Sequence, residues 1–196
     1  HGLIPLEEYA LLLKNAKALG VLHKVMWGTD NYDQRDELPL VKSIPEVTKK
    51  YNIGPTMPDL TQEDMDGFLG GNASKFLGIS DFIMIIDTHG WINKTEHWGK
   101  QSGDLMDQSW KASPGYSETR SVHQKTGIVG RYSSVEELVQ MMDEAGVDKT
   151  LLHAMTTPSF NVKVPNEWNA EQIKQRPDRL IGLGSVYELG GKQAID

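Results

Sequence analysis

Short apolar runs alternate with amphipathic patterns in the second half of the chain, and this alternation limits the folds open to it. The predicted strands are Phe82–Ile92 (FIMIIDTHGWI), Lys149–Met155 (KTLLHAM) and Ile181–Glu188 (IGLGSVYE). A capped helix that starts at Ser134 and a second helix, Asn166–Leu180, lie between these strands in sequence. Nearly continuous apolar runs indicate a parallel sheet with helices on both faces. An open doubly wound sheet and part of an eight-stranded barrel both satisfy this pattern.

The first part of the chain shows a similar mixture of elements. Helical spacing predicts an amphipathic helix at Pro5–Leu19, and Thr61 is the candidate N-cap of a later helix. His23–Asp30 (HKVMWGTD) is predicted to be a short strand whose last residues are polar. The region 31–60 is rich in proline and charge, and it predicts a long loop with one short helix at Ile44–Tyr51.

The composition restricts both the chemistry and the partners. The chain of 196 residues has no cysteine, so a bound metal must be held by histidine and carboxylate ligands. The net charge of −7 disfavours a nucleic-acid surface, which needs clustered lysine and arginine. No apolar run approaches the roughly 20 residues of a transmembrane helix. We therefore expect a cytoplasmic protein with a small-molecule substrate and with no nucleic-acid or membrane partner.

Polar residues at the ends of the predicted strands are the candidates for chemistry. In parallel α/β folds the carboxyl ends of the strands face the ligand, and Asp30, Asp87 and His89 lie at such ends, with His153 inside the next strand. A carboxylate and an imidazole from adjacent strand ends can bind one divalent cation and lower the pKa of its water. The structural alternative is that the aspartates are turn or cap residues and the histidines are hydrogen-bonded core residues.

Two glycine pairs, Gly70–Gly71 and Gly190–Gly191, are candidates for phosphate-binding loops. Neither pair has the G-x-G-x-x-G pattern or the lysine of a P-loop. We predict that both pairs form helix caps and turns. Gly70–Gly71 is therefore expected to interrupt the helix that begins at Thr61.

Several segments resemble the amidohydrolase superfamily, specifically the amidohydrolase-related branch that includes decarboxylases of aminocarboxymuconate semialdehyde and of hydroxybenzoates. Met84–Ile92 is similar to the first strand of that family, and Ser134–Met155 is similar to its first helix and second strand. The other similar segments are Arg176–Val186, which leads into the third strand, Val25–Tyr32, which resembles the eighth strand, and Asp64–Ile79, which resembles the closing helix. The resemblance implies the (β/α)8, or TIM, barrel of this family.

The order of these segments departs from the family. Residues 1–79 resemble its C-terminal part and residues 84–196 resemble its N-terminal part, while the middle strands are missing. Because a complete barrel takes about 250 residues, we predict a partial TIM barrel in which strand eight lies beside strand one. Two tandem genes read as one would explain the order. A circular permutation would also explain the order, but it would not explain the missing middle.

The resemblance also implies a divalent metal ion, usually zinc. The family binds it through two histidines of strand one, histidines of strands five and six, and an aspartate of strand eight that also transfers protons. His89 matches the first of these histidines and Asp30 matches the aspartate, whereas Trp91 occupies the position of the second strand-one histidine. Asp87 is the candidate substitute. The resemblance therefore gives His89, Asp30 and Asp87 as metal ligands and Asp30 as the catalytic residue.

Two hypotheses about function remain open at this point. In the first, the parent protein is a metal-dependent hydrolase or non-oxidative decarboxylase of a small carboxylated or cyclic substrate, incomplete in this chain. In the second, the chain is a non-catalytic fragment or pseudoenzyme that acts in binding or assembly, which Trp91 favours. A partial barrel would expose edge strands and apolar faces, so self-association into a homo-oligomer is also expected.

Overall fold

The computed structural model describes residues 5–29, 33–79, 84–92, 97, 134–157 and 162–186 of the chain. The helices are α1 (Leu6–Ala18), α2 (Gln34–Lys42), α3 (Ile44–Lys50), α4 (Gln62–Asp66), α5 (Asn72–Leu77), α6 (Val135–Ala145) and α7 (Asn166–Gln175), with a 3₁₀ turn at Leu22–Lys24 and a π-helical turn at Gly67–Gly71. The strands are β1 (Ile86–Gly90), β2 (Lys149–His153), β3 (Met155–Thr157), β4 (Val162–Val164) and β5 (Leu180–Leu183). In this part of the chain, no helix combines the length and the apolar character that membrane crossing requires.

The described strands form two small sheets. β1, β2 and β5 make a parallel three-stranded sheet in that order, and His153 at the end of β2 pairs with Leu183 of β5. β3 and β4 make an antiparallel pair in which Met155 lies opposite Val164. The prediction of an α/β protein with parallel strands is confirmed. The antiparallel pair is an element that the sequence pattern does not predict.

The chain divides into two compact units, of which the first contains residues 1–88 and 141–149 and the second contains residues 89–140 and 150–196. In the first unit the backbone N–H groups of Asp148 and Lys149 donate to the carbonyl oxygen of Ile85, at 2.9 and 3.3 Å. Its described core includes Ala10, Leu13, Leu22, Trp27, Leu38, Val41, Ile44, Leu60, Met65, Phe68, Leu69, Ala73, Ile86, Met141, Met142 and Val147. The described core of the second unit includes Ile92, Val135, Leu138, Val139, Leu151, Leu152, Ala154, Val164 and Leu180.

Two helices begin at their predicted caps. The Thr61 hydroxyl accepts a hydrogen bond from the Asp64 N–H at 3.2 Å, and the Asp64 carboxylate accepts one from the Thr61 N–H at 2.7 Å. These two bonds form a capping box at the start of α4. The Ser134 hydroxyl accepts from the Glu137 N–H at 3.2 Å at the start of α6. Gly146, with φ of 75°, ends α6 in the left-handed conformation that glycine adopts readily.

α2 occupies part of the region that the sequence predicts to be a loop, and the prediction is wrong there. The Asp33 carboxylate caps the helix by accepting a hydrogen bond from the Arg35 N–H at 3.0 Å. Leu38 and Val41 are buried on the inner face of the helix. Pro39 lies inside α2, where proline lacks the N–H for the helical hydrogen bond. The prolines of residues 31–60 are the reason that the sequence favours a loop there.

The segment 25–29 is extended but is not a strand, so the predicted strand at His23–Asp30 is wrong over its described residues. The Trp27 N–H donates to the carbonyl oxygen of Phe68 at 3.0 Å, and the Trp27 carbonyl oxygen accepts from the Thr88 N–H at 3.0 Å. Because one of these backbone groups of Trp27 is bound to a helical turn and the other to β1, the segment makes no continuous ladder. It nevertheless lies beside β1.

The glycine pair Gly70–Gly71 lies in the π-helical turn between α4 and α5, so it interrupts the α-helix as predicted, but the chain stays helical there and the pair forms no separate turn. Gly71 has a helical φ of −59°. Gly70 is buried, and a Cβ atom there would overlap the carbonyl oxygen of Met84, just before β1. Close approach of two backbones explains this glycine. The second pair, Gly190–Gly191, lies outside the described residues.

Because of Tyr9 in α1, the stability of the first unit is expected to fall as the pH becomes strongly alkaline. Its ring packs edge-on against Phe68, with 5.9 Å between the ring centroids. Burial, with a smaller contribution from the Glu37 carboxylate, raises the pKa of Tyr9 to about 12 from its ordinary 10.0. The folded state therefore binds the phenol proton more tightly than the unfolded state does, so this stabilisation is fully present below pH 10 and disappears as the pH rises toward 12.

We expect Tyr9→Phe to weaken the pH dependence of stability in that window, because phenylalanine keeps most of the packing and has no proton to lose. Urea unfolding of the wild type and the variant at about pH 9 and about pH 11 measures this, since the unfolding free energy follows proton linkage. The wild type should lose more stability between the two pH values than Tyr9→Phe. Equal losses would contradict the assignment to Tyr9.

Candidate functional site

Asp87 of β1 is the centre of a buried polar cluster in the first unit. Its side chain is 0% exposed. One carboxylate oxygen accepts a hydrogen bond from the Thr29 N–H at 2.9 Å. The other accepts from the Thr29 hydroxyl at 2.6 Å and from the Gln34 side-chain amide at 2.7 Å. Burying a carboxylate is costly unless donors replace its water, and these three bonds supply such donors.

The segment 25–29 reaches Asp87 because side chains from two other elements hold it. The Asn72 amide of α5 donates to the carbonyl oxygens of Leu22 and Val25, at 3.0 and 2.8 Å. On the other side, the Thr88 hydroxyl donates to the carbonyl oxygen of Trp27 at 2.7 Å. These bonds place Thr29 directly at the Asp87 carboxylate. The residue that follows Thr29 in sequence is Asp30.

Gln34 reaches Asp87 from the first turn of α2, and an arginine network fixes that turn. The guanidinium of Arg35 donates to both carboxylate oxygens of Asp33, at 2.9 and 2.8 Å. It also donates to the Glu144 carboxylate of α6 at 2.6 Å. Such a two-pronged arginine contact restricts orientation as well as position. The start of α2, and Gln34 with it, is therefore tied to α6.

His89 of β1 and His153 of β2 are in contact in the second unit. Their ring centroids are 4.6 Å apart and their planes are inclined at 61°. His89 is the fourth residue of β1 and His153 is the last residue of β2, so both lie near the carboxyl ends of parallel strands. The Trp91 ring packs edge-on against His89, with centroids 5.4 Å apart. Both histidines are partly buried.

The second unit also contains another pair of aromatic rings and a buried asparagine of α7. His97 is buried and packs edge-on against Trp168 of α7, with 4.6 Å between the ring centroids. The buried Asn169 donates its amide N–H to the carbonyl oxygen of Leu152 at 3.0 Å. Leu152 directly precedes His153. Asn169 therefore fixes the backbone from which the His153 side chain projects.

The structure describes two of the predicted site residues, His89 and Asp87, and does not describe Asp30. Asp30 lies outside the described residues, so its predicted roles as ligand and proton carrier stay predictions. His89 contacts His153 and Asp87 is held by protein donors, and the predicted roles of both residues as metal ligands stay predictions. The described part of the chain contains no group of three or more histidine, aspartate or glutamate side chains arranged to hold a metal ion.

Sequence reasoning missed Thr29 and Gln34 and gave His153 little weight. Thr29 follows the predicted strand pattern and Gln34 falls in a predicted loop, so neither position had a signal that pointed to a buried carboxylate. His153 did have a signal, because it lies near the end of the strand after His89 in the predicted parallel sheet. That adjacency predicts the observed contact.

Comparisons of the chain with protein-family models, with curated proteins and with solved structures gave no match. The amidohydrolase resemblance of the individual segments therefore stays a prediction, and the geometry of the site is the basis for assigning a function.

Proposed function

We propose that this chain contains part of the site of a metal-dependent hydrolase or non-oxidative decarboxylase, in a partial (β/α)8 barrel of the amidohydrolase-related type. The observation that supports the proposal most is the position of His89 near the carboxyl end of a parallel strand, against a second imidazole at the end of the next strand. Ligand-binding groups of α/β barrels project from this end of the strands. Segment 25–29, which resembles strand eight, is hydrogen-bonded to β1 through the Trp27 carbonyl oxygen, although it is not a strand of the sheet.

The donor chemistry at His89 suits a divalent ion that prefers nitrogen, with zinc the expected one. Catalytic zinc sites have three protein ligands and one open position. His89 is the ligand that we propose. Asp30 and Asp87 are the carboxylate ligands that the resemblance implies, and both carboxylate oxygens of Asp87 already accept hydrogen bonds from Thr29 and Gln34. A bound ion of this kind polarises a substrate oxygen or lowers the pKa of a water.

The residues of the chain itself would position the reactants. The Asp87 carboxylate fixes Thr29, the residue before Asp30 in sequence, through its N–H and its hydroxyl. Asp30 is the residue that we propose to move the proton. Trp91 packs edge-on against His89. The substrate that we propose is a small carboxylated or cyclic molecule.

Metal analysis of the purified protein tests this proposal. After incubation with zinc and removal of the excess by dialysis, the wild type should retain about one equivalent, and His89→Ala should retain much less. His23→Ala is the matched control, because His23 is an exposed histidine of the 3₁₀ turn in the first unit. It should retain as much zinc as the wild type.

A wild type that retains no zinc, manganese, nickel or cobalt would contradict the proposal. It would favour the second hypothesis, a non-catalytic protein of binding or assembly. Trp91 supports this second hypothesis. It occupies the position at which the family has its second strand-one histidine, and it packs against His89.

A further inference from the structure

The contact between His89 and His153 has the geometry of a pair of metal ligands. We infer that His153 supplies the second imidazole of a transition-metal site in this chain. In the family this imidazole comes from the second histidine of strand one, and Trp91 occupies that position here. This inference rests on the proposed function only in taking His89 as a ligand. It assigns a role to a residue of β2, whereas the resemblance implies ligands from strands one, five, six and eight.

The spacing of the two rings fits one shared ion. With metal–nitrogen bonds of about 2.0–2.1 Å and ligand angles between about 90 and 109°, two imidazole centroids lie roughly 4.5–5.2 Å apart. The observed separation is 4.6 Å. The separation of the two rings is therefore within the range that two imidazoles on one ion require.

The backbone around the two histidines is fixed, which favours binding because little ordering is needed. β1 and β2 belong to one parallel sheet, and His153 is paired with Leu183 of β5. Asn169 holds the carbonyl oxygen of the residue before His153. On β1, a Cβ atom at Gly90 would overlap the Thr150 side chain, so the strands approach closely just after His89. Ligands on rigid elements keep their relative positions better than ligands on loops do.

The class of ion follows from the two nitrogen donors. Imidazole suits zinc, copper and nickel, whereas magnesium and calcium prefer oxygen ligands. Two imidazoles leave further coordination positions for water or for a substrate. We therefore expect zinc, nickel or copper to bind in a 1:1 ratio and magnesium in excess not to displace them.

Calorimetric titration of the chelator-treated protein with zinc tests the inference. Four variants are compared with the wild type: His89→Ala, His153→Ala, His153→Gln and the exposed control His23→Ala. Loss of a residue that supports a metal site typically lowers affinity roughly 10- to 100-fold. We expect at least a 10-fold loss for the variants at positions 89 and 153, and no change for His23→Ala.

The outcomes separate this inference from the proposed function. If His89→Ala weakens zinc binding while both variants of His153 bind as the wild type does, the role of His153 is overturned and the metal site at His89 remains. If the wild type itself binds no transition metal, both are overturned. If a His153 variant fails to fold, electron paramagnetic resonance of the copper-loaded wild type decides. Hyperfine coupling to two imidazole nitrogens supports the inference, and coupling to one overturns it.

Discussion

Gly70→Ala is expected to destabilise the protein by at least about 4 kcal/mol, although alanine is the better helix former by about 1 kcal/mol. The reason is the overlap between an added Cβ atom and the carbonyl oxygen of Met84. Such a contact with backbone is not relieved by rotating a side chain, so either the helical turn or the start of β1 must move. With a typical total stability of about 5–15 kcal/mol, the variant should lose a large share of its stability.

Gly71→Ala is the matched control, because it changes the neighbouring glycine of the same helical turn. A Cβ atom at Gly71 would lie 3.3 Å from the carbonyl oxygen of Asp66, a tight contact that a shift of a few tenths of an ångström relieves. We expect a change within about 1 kcal/mol. Urea unfolding followed by circular dichroism measures both variants. Equal stability of Gly70→Ala and the wild type would show that the helical turn lies farther from Met84.

Asp87→Ala is expected to cost roughly 3–5 kcal/mol of unfolding free energy, because its removal leaves the Thr29 N–H, the Thr29 hydroxyl and the Gln34 amide without this acceptor. Each buried donor that loses its partner costs about 1–3 kcal/mol. Thr29→Val removes the hydroxyl donor alone and should cost about 1.5–3 kcal/mol. Because Thr29 and Asp87 contact each other, the double variant should cost less than the two single costs added together.

Glu46→Ala is the control for a carboxylate of the same unit that lies at the surface. Glu46 is an exposed residue in the first turn of α3, where its interaction with the helix dipole is small, so its loss should cost no more than about 1 kcal/mol. The unfolding measurements are repeated with a chelator. The cost of Asp87→Ala should persist, since the donors belong to the protein. A cost that disappears with chelator would show that Asp87 stabilises the protein through a metal ion.

The elements that could be predicted well from the sequence are those whose caps and apolar patterns lie within the element itself. α6 has a serine cap at its start, a left-handed glycine at its end and an apolar face between them, and β2 is a continuous apolar run. α2 could not be predicted in this way, because Pro39 argues against a helix and the compensation is distant in sequence. That compensation is the burial of Leu38 and Val41 and the bond from Arg35 to Glu144, which lies 109 residues away.

The candidate site shows the same division between local and distant signals. His89 and His153 could be found because the order of strands in a parallel sheet places their ends together. The Asp87 cluster could not be found, because Thr29 and Gln34 lie 58 and 53 residues from Asp87 in sequence. Segment 25–29 has the composition of a strand, and composition does not distinguish a sheet ladder from single hydrogen bonds to two different elements.

The first unit joins segments that are far apart in the sequence. It contains residues 1–88 together with residues 141–149, so the helices of residues 1–79 and the start of β1 belong to one compact unit. Residues 1–79 depend on Asp87, Thr88 and the lead-in to β1 for partners, much as one subunit of an obligate complex depends on the other. A truncation between residues 79 and 84 would therefore remove hydrogen-bond partners from both of its products.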